Sequence, residues 1–395
     1  MSSPRPARSG SGTWGPLRLL LRLLVMGIGL GLISGTALKL LAPRLAQGSI
    51  NAPRVTGSPA SQPLQALPRG IPLGRFEPHQ ELTGLSKKWA ALAAVHKDLK
   101  ASAYLLVLDD GRFAQLQSEL PLPAASSIKT PILLAAMEDL DAGRLRWDQP
   151  LTMTKEVVGA GAGWMANKPV GTRFPFHEAA TEMIRVSDNT ATNLLIKRLG
   201  GKTALNTRFQ ALGLPGTVIN NWLPDLEGTN TTSAHDLARS IALVDTGEKL
   251  SPRARDLFRQ VMGSSRTNTL IPLGLLQGLG GDSADPDADL MAYGVTVLNK
   301  TGDIGIAYAD GGLIELPNGQ RAVAAFMVKG PFNDPRSTDL IRAMAAEVAK
   351  LLVPRGSAAS QPGTQPTTTP SSTAAPAATP STTAPSTATP SPARR

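Results

Sequence analysis

Ser126-Ser127-Ile128-Lys129-Thr130-Pro131-Ile132-Leu133-Leu134-Ala135-Ala136-Met137 is the stretch on which the reading of this chain turns. Its second half is an apolar helix-forming run. Its first half sets a serine and a lysine three residues apart, on one helix face with Cβ atoms about 5–6 Å apart. A serine hydroxyl is a weak nucleophile until an adjacent base takes its proton. Lys129 can be that base only when neutral, which needs burial or a nearby positive charge. Pro131 has no N–H to give and fits only the first turn of a helix. That puts Ser126 at or just inside the helix start, where the helix N-terminus helps to hold an oxyanion. By itself Ser-x-x-Lys says little, because about one is expected by chance in a chain of this size.

Two further strings follow in order. Ser187-Asp188-Asn189 lies between a helical run Glu178–Val186 and a second run Ala191–Leu199, which stops at Gly200-Gly201. Glycine after the last turn is a C-terminal signal. The motif therefore occupies a sharp helix–helix connection. Ser187 suits proton transfer to a leaving group, Asn189 suits a substrate amide, and Asp188 reads as structural. The alternative for this triplet alone is a simple cap on the next helix. Val295-Thr296-Val297-Leu298-Asn299-Lys300-Thr301-Gly302 then reads as a strand. Lys300 and Thr301 suit a substrate carboxylate, and Lys300 is also a candidate for the positive neighbour of Lys129. Gly302 admits a substrate backbone. The N–H of Asp303, with that of Ser126, would form an oxyanion hole.

Working outward, Glu81–Leu99 reads as an amphipathic helix. Tyr104–Leu108, Asp109-Asp110-Gly111 and Arg112–Ala114 read as a strand, a tight turn and a strand. Gly312–Leu316, Pro317-Asn318-Gly319 and Ala322–Val328 form a second hairpin. Asp334-Pro335 opens a last helix to about Leu352, with Asp as cap and Pro at the first helical position. Residues 126–290 are helical and loop-rich. Strands thus come from both ends of the body and helices from its middle. The expected fold is α/β (α+β) in two lobes: an antiparallel sheet with flanking helices, and an all-helical lobe. The three strings would meet in the cleft between them.

Ser126 to Gly201 resembles class A β-lactamases, above all in Val186-Ser187-Asp188-Asn189-Thr190-Ala191-Thr192-Asn193-Leu194-Leu195 followed by Leu199-Gly200-Gly201. The Ser-x-x-Lys, Ser-Asp-Asn and Lys-Thr-Gly set belongs to penicillin-recognising serine enzymes. Thr231-Thr232-Ser233-Ala234-His235-Asp236-Leu237-Ala238 resembles the Thr-Thr element that follows the Ω loop of those enzymes. The resemblance covers about 80–353 and implies the two-lobe fold and acyl-serine chemistry. It departs in the Ω loop. Where the lactamases carry a Trp-Glu-Pro string whose glutamate activates the deacylating water, this chain has Trp222-Leu223-Pro224-Asp225-Leu226-Glu227. Leu223 cannot accept a proton, the loop is short, and in the register of the resemblance Asp225 and Glu227 are expected to point elsewhere. The pattern is similar to penicillin-binding proteins of the PBP-A type. That implies a D-alanyl-D-alanine peptidase with peptidoglycan stem peptides as substrates, acylated by β-lactams and slow to release them. Two alternatives stay open: a β-lactamase in which another group activates water, and a β-lactam or muropeptide receptor that does not turn over. The catalytic set is Ser126, Lys129 and Ser187. The substrate-binding set is Asn189, Lys300, Thr301, Gly302 and Asp303. Trp164 is either a cleft wall or a core residue.

The remaining sequence bounds the setting. There is no cysteine, so disulfides, thiolate nucleophiles, thiolate metal sites and a lipoprotein cysteine are excluded. His79, His96, His177 and His235 show no metal-ligand spacing, and no Gly-x-Ser-x-Gly elbow or phosphate-binding glycine loop is present. No cofactor or metal is expected. Net charge is +10, but no Lys/Arg block accompanies it and aromatics are only 4%, so nucleic acid is not the expected partner. Arg5, Arg8, Arg18 and Arg22 precede an uncharged segment, residues 23–38. Positive charge there keeps the N-terminus cytoplasmic and sends the rest across the membrane. Residues 1–41 are therefore expected to be an inner-membrane anchor, or alternatively a cleaved signal. Residues 42–79 form a Pro/Gly/Ser-rich linker and 354–395 a disordered Pro/Ser/Thr/Ala-rich tail, leaving 80–353 as the catalytic, periplasmic part.

Overall fold

The computed structural model describes residues 77–353. The anchor, most of the linker and the tail expected above lie outside them. Among the described residues no helix is long and apolar enough to cross a membrane.

A six-stranded sheet is built from both ends of the described chain. Its strands are β1 (Gln80–Glu81), β2 (Lys100–Val107), β3 (Arg112–Leu116), β4 (Thr296–Asp303), β5 (Ala307–Glu315) and β6 (Arg321–Lys329). The order is β1-β3-β2-β6-β5-β4; β1 pairs parallel with β3 and every other pair is antiparallel. From Ala101 to Val107 every residue of β2 is buried, which explains the unbroken apolar run of a strand covered on both faces. One face, with Ala103, Leu105, Ala324 and Phe326, packs on α1 (Thr83–Ala94) and on a long C-terminal helix, Pro335–Leu352. Trp89 fills the space between them, edge-on to Phe326, with its indole N–H donated to Met344 O at 2.9 Å. The opposite face, with Tyr104, Leu106, Val323 and Ala325, packs on the helix Ala234–Asp245.

The helical lobe is organised by α2 (Lys129–Asp141), in which every residue from Lys129 to Met137 is buried. A helix apolar all round belongs in a core. Around it pack α3 (Phe176–Arg185), α4 (Asn189–Arg198), α5 (Gly201–Ala211) and the helix Pro252–Met262. A short ribbon pairs Leu122 with Thr232 and Pro123 with Thr231, tying the approach to α2 to the end of the Ω segment.

The expected hairpins and the last helix are present, with Asp334 capping Pro335–Leu352 as anticipated. The first helix is a correction. It runs Thr83–Ala94 instead of Glu81–Leu99, because Gln80 and Glu81 pair with Arg112 and Phe113, and Leu82 N–H donates to Phe113 O at 2.6 Å. A sheet partner more than thirty residues away overrides the local helical pattern.

Candidate active site

Ser126 does not sit on α2 itself. It lies in a 3-10 turn, Ala125–Ile128, that runs into α2 at Lys129, with Pro131 in the helix's first turn. Side chains three apart eclipse in such a turn, so Ser126 and Lys129 still share a face. Ala125 before the serine has φ +48°. Ser187, in the sharp connection between α3 and α4, has φ +60°. These left-handed values are uncommon for non-glycine residues and cost about 1–3 kcal/mol each, so the surroundings must enforce them.

Asp188 supplies much of that enforcement. It is buried, its Oδ1 caps α4 by accepting from Ala191 N–H at 2.9 Å, and its Oδ2 accepts from Trp164 N–H at 2.7 Å and Met165 N–H at 2.9 Å. One carboxylate therefore joins the Ser-Asp-Asn corner to the 159–165 loop, the structural part expected of it. Gly163 approaches so closely that a Cβ there would fall 2.1 Å from Asp188 Oδ2. Trp164 is half-buried. Its indole N–H donates to Glu182 at 2.6 Å and its ring meets Phe174 edge-on, so it belongs to the edge of the helical core.

The centre is the Lys129 Nζ. It lies 2.9 Å from Ser126 Oγ, 2.9 Å from Ser187 Oγ, 2.7 Å from Ser187 O and 3.0 Å from Asn189 Oδ1. An ammonium has three donors, and four contacts exceed them. Ser187 O can only accept. So can Asn189 Oδ1, whose identity follows because Nδ2 of the same amide donates to Ala160 O at 2.8 Å. A neutral amine can give its two N–H groups to the two obligate acceptors and turn its lone pair to one of the two hydroxyls, the arrangement a base needs. Burial, then the charge of Lys300, hold Lys129 well below the ordinary lysine range, with Asp188 opposing. Lys300 is therefore the positive neighbour anticipated from sequence.

The strand β4 brings Lys300, Thr301 and Gly302 against the serine turn. Lys300 is fully buried, with Nζ donating to Thr301 O at 2.6 Å. Burial pushes it down to about 8 against the pull of Asp310. Thr301 and Ser126 are half-exposed, and Asp303 is exposed. Gly302 receives a different reason from the one expected. A Cβ there would lie 2.7 Å from Ala124 O, 2.8 Å from Ser127 N and 2.9 Å from Ser126 N. The glycine makes room for the protein's own backbone at the serine turn. Asn189 is likewise engaged, by Lys129 and Ala160, so only its second N–H and a lone pair of Oδ1 remain for a ligand.

Leu223 lies beside this group. Asn193 clamps its backbone in both directions, accepting from Leu223 N–H at 2.9 Å and donating to Leu223 O at 2.8 Å. Its side chain is buried in the helical core. A Cβ on Gly159 would fall 2.4 Å from Leu223 O and 3.0 Å from Asn189 Cβ, so the leucine backbone, the 159–165 loop and the Ser-Asp-Asn corner are in direct contact. Asp225 is turned inward to Asn230 N–H at 2.6 Å and Thr229 Oγ1 at 2.9 Å, and Glu227 is exposed. The Asn193 clamp was not singled out from sequence, although Asn193 stands four residues after Asn189 on the same face of α4.

A profile of the beta-lactamase enzyme family matches residues 84–352. Among solved structures, PBP-A is 42% identical over 69% of this chain and 97% of its own, with a TM-score of 0.64. A beta-lactamase of Streptomyces cellulosae is 29% identical over 40% of this chain and 53% of its own length. The extended-spectrum beta-lactamase PER-1 of Pseudomonas aeruginosa is 25% identical over 58% of this chain and 74% of its own. The chain thus spans little more than half the length of the Streptomyces relative. The chain belongs to the beta-lactamase enzyme family. The mixed α/β architecture with flanking helices is that of its class A neighbours.

Gly302→Ala should displace the serine turn, since all three obstructing atoms are backbone. The expected loss is about 10²-fold in acylation by a fluorescent penicillin, as for an ångström-scale misplacement of a reacting group. Overpacking should also lower stability by about 1–3 kcal/mol in urea denaturation. Wild-type acylation by the variant would show that β4 does not abut the nucleophile.

Proposed function

We propose that the protein is an exported acyl-serine peptidase of the penicillin-binding type. It acts on D-alanyl-D-alanine termini of peptidoglycan stem peptides, and β-lactams acylate it and leave slowly. The observation that carries this reading is Leu223, which brings no carboxylate to the group formed by Ser126, Lys129 and Ser187. A solved structure of a leucine-to-glutamate variant of PBP-A, an acyl-enzyme complex with penicillin G, records acylation in that protein. Export rests on the Arg-flanked segment 23–38, outside the described residues.

In this mechanism Ser126 Oγ attacks the scissile carbonyl and its proton passes to the neutral Lys129 Nζ. The backbone N–H groups of Ser126 and Asp303 hold the oxyanion. Lys300 and Thr301 hold the substrate's terminal carboxylate, a charge-assisted contact, and Asn189 orients its amide. As the C–N bond breaks, the proton moves from Lys129 through Ser187 Oγ, 2.9 Å away, to the departing amine. Water then hydrolyses the ester. Purified protein should release D-alanine from a D-Ala-D-Ala peptide with turnover, and Ser126→Ala should abolish both release and penicillin labelling. The curated relatives support a second reading, a β-lactamase. Steady-state nitrocefin hydrolysis without D-alanine release would establish it, and labelling without either activity would make the protein a receptor.

Leu223 separates these outcomes further. A positioned general base contributes typically 10²–10⁴-fold, or about 3–5.5 kcal/mol of barrier. The wild-type penicillin acyl-enzyme should be long-lived by intact mass after excess drug is removed, and Leu223→Glu should shorten its lifetime by less than that full range. Release within seconds by the wild type would mean that another group already activates water.

The two lysines set a pH profile. The acylation rate should rise as Lys129 loses its proton and fall as Lys300 loses its own near pH 8. Neutral Lys300 no longer attracts the carboxylate, which is the cause of the alkaline fall. Lys300→Arg, which keeps its charge, should move the alkaline limb upward. An alkaline limb still near pH 8 in that variant would assign it to another group.

A further inference from the structure

The ribbon that pairs Leu122 with Thr232 and Pro123 with Thr231 has an outer end that the proposed chemistry does not use. Carried three residues outward, the same register sets Glu119 opposite His235, and His235 N–H donates to Ser118 O at 3.0 Å. There His235 Nδ1 lies 3.3 Å from Glu119 Oε1 and 3.8 Å from Asp236 Oδ1. One ligand atom from each of the three residues lies within 4.8 Å of the other two.

Asp236 supplies an independent observation. It is fully buried. Its Oδ2 accepts from Thr217 Oγ1 at 2.9 Å, but Oδ1, the oxygen facing His235, is buried and accepts no hydrogen bond. A buried carboxylate oxygen that accepts no hydrogen bond calls for a counter-group, and an ion shared with His235 is among the few answers. The Tyr104 ring stands edge-on to the imidazole at 5.1 Å and walls one side. Arg239, one turn further along the helix, donates its Nε to Leu212 O at 3.1 Å. Glu119 opens onto a groove lined also by Glu81, Lys87, Gln115 and Ser118, which gives solvent a path to the cluster.

One imidazole nitrogen and two carboxylate oxygens suit a borderline cation better than calcium or magnesium, which prefer all-oxygen shells. We propose that Glu119, His235 and Asp236 bind one divalent transition-metal ion of the zinc class, with water on the groove side completing its shell. The ion fastens the outer end of the ribbon whose inner end leads, within three residues, to Ser126. The chain has no cysteine to compete for such a metal.

The test is titration of the full chain with Zn²⁺ by calorimetry, with Co²⁺ as a spectroscopic probe. The expected result is one Zn²⁺ per chain, with affinity reduced about tenfold or more in both Glu119→Gln and His235→Gln. A triple variant, His79→Gln/His96→Gln/His177→Gln, should retain it. Co²⁺ should give visible d–d absorption in the wild type and lose it in His235→Gln. The Glu119 side chain is 65% exposed, so its variant separates loss of a ligand from loss of the fold. No saturable Zn²⁺ uptake up to about 1 mM would overturn the proposal. So would uptake undiminished in the Glu119 and His235 variants, or uptake lost in the triple variant.

Discussion

The contact on which the site depends is the buried amine of Lys129 between three separate pieces of chain. Its own turn contributes Ser126, the α3–α4 corner contributes Ser187 and Asn189, and β4 contributes the charge of Lys300. Taking a lysine out of water disfavours its charged form, and a second buried lysine disfavours it further. The protein satisfies the amine with acceptors that a neutral group can fully serve. A protonated Lys129 would be a buried charge facing Lys300, so the resting site favours the form that can take a proton.

Holding three backbone segments around one nitrogen imposes conformations that no segment adopts alone. Ala125 and Ser187 are left-handed without being glycine. Asp188 ties the corner to Trp164 and Met165, and Gly302 lets β4 rest on the serine turn. The helical core behind α2 is closely packed around Ile132, Leu133 and Leu134, which fixes the position of Lys129. The strain at the surface of the cleft is thus opposed by burial behind it.

The sequence made the outline legible where local signals and tertiary demands agree. The Asp334-Pro335 start, the Asn-Gly hairpin and the apolar run after Lys129 each specify an element by themselves, and the structure has them. The ordered motifs named the residues that surround Lys129, and the lysine pair was inferred from charge alone. What could not be read depends on partners distant in sequence. Gln80 and Glu81 leave the first helix because Arg112 and Phe113 offer them a sheet edge. Gly302 lies against Ala124, Ser126 and Ser127, a contact between strand and turn that no local pattern announces. The Glu119–His235–Asp236 cluster has no ligand spacing, since a ribbon brings its two halves together.

The Leu223 position carries the same logic to its end. Asn193 grips its backbone N–H and C=O, not its side chain, so the clamp would hold any residue there equally well. The choice of side chain is then decided by burial against chemistry. A leucine at this point joins the helical core, a gain of about 1.5–3 kcal/mol over leaving it exposed. A glutamate would forfeit that contribution and would have to be desolvated beside Asn189 and the 159–165 loop, raising its pKa unless hydrogen bonds compensate. A carboxylate so perturbed is what activation of water near neutral pH requires. With leucine the loop keeps that burial, and on the proposed reading the acyl-enzyme is left without that base. On the proposed reading, the fate of the ester therefore turns on one side chain whose backbone is already in place.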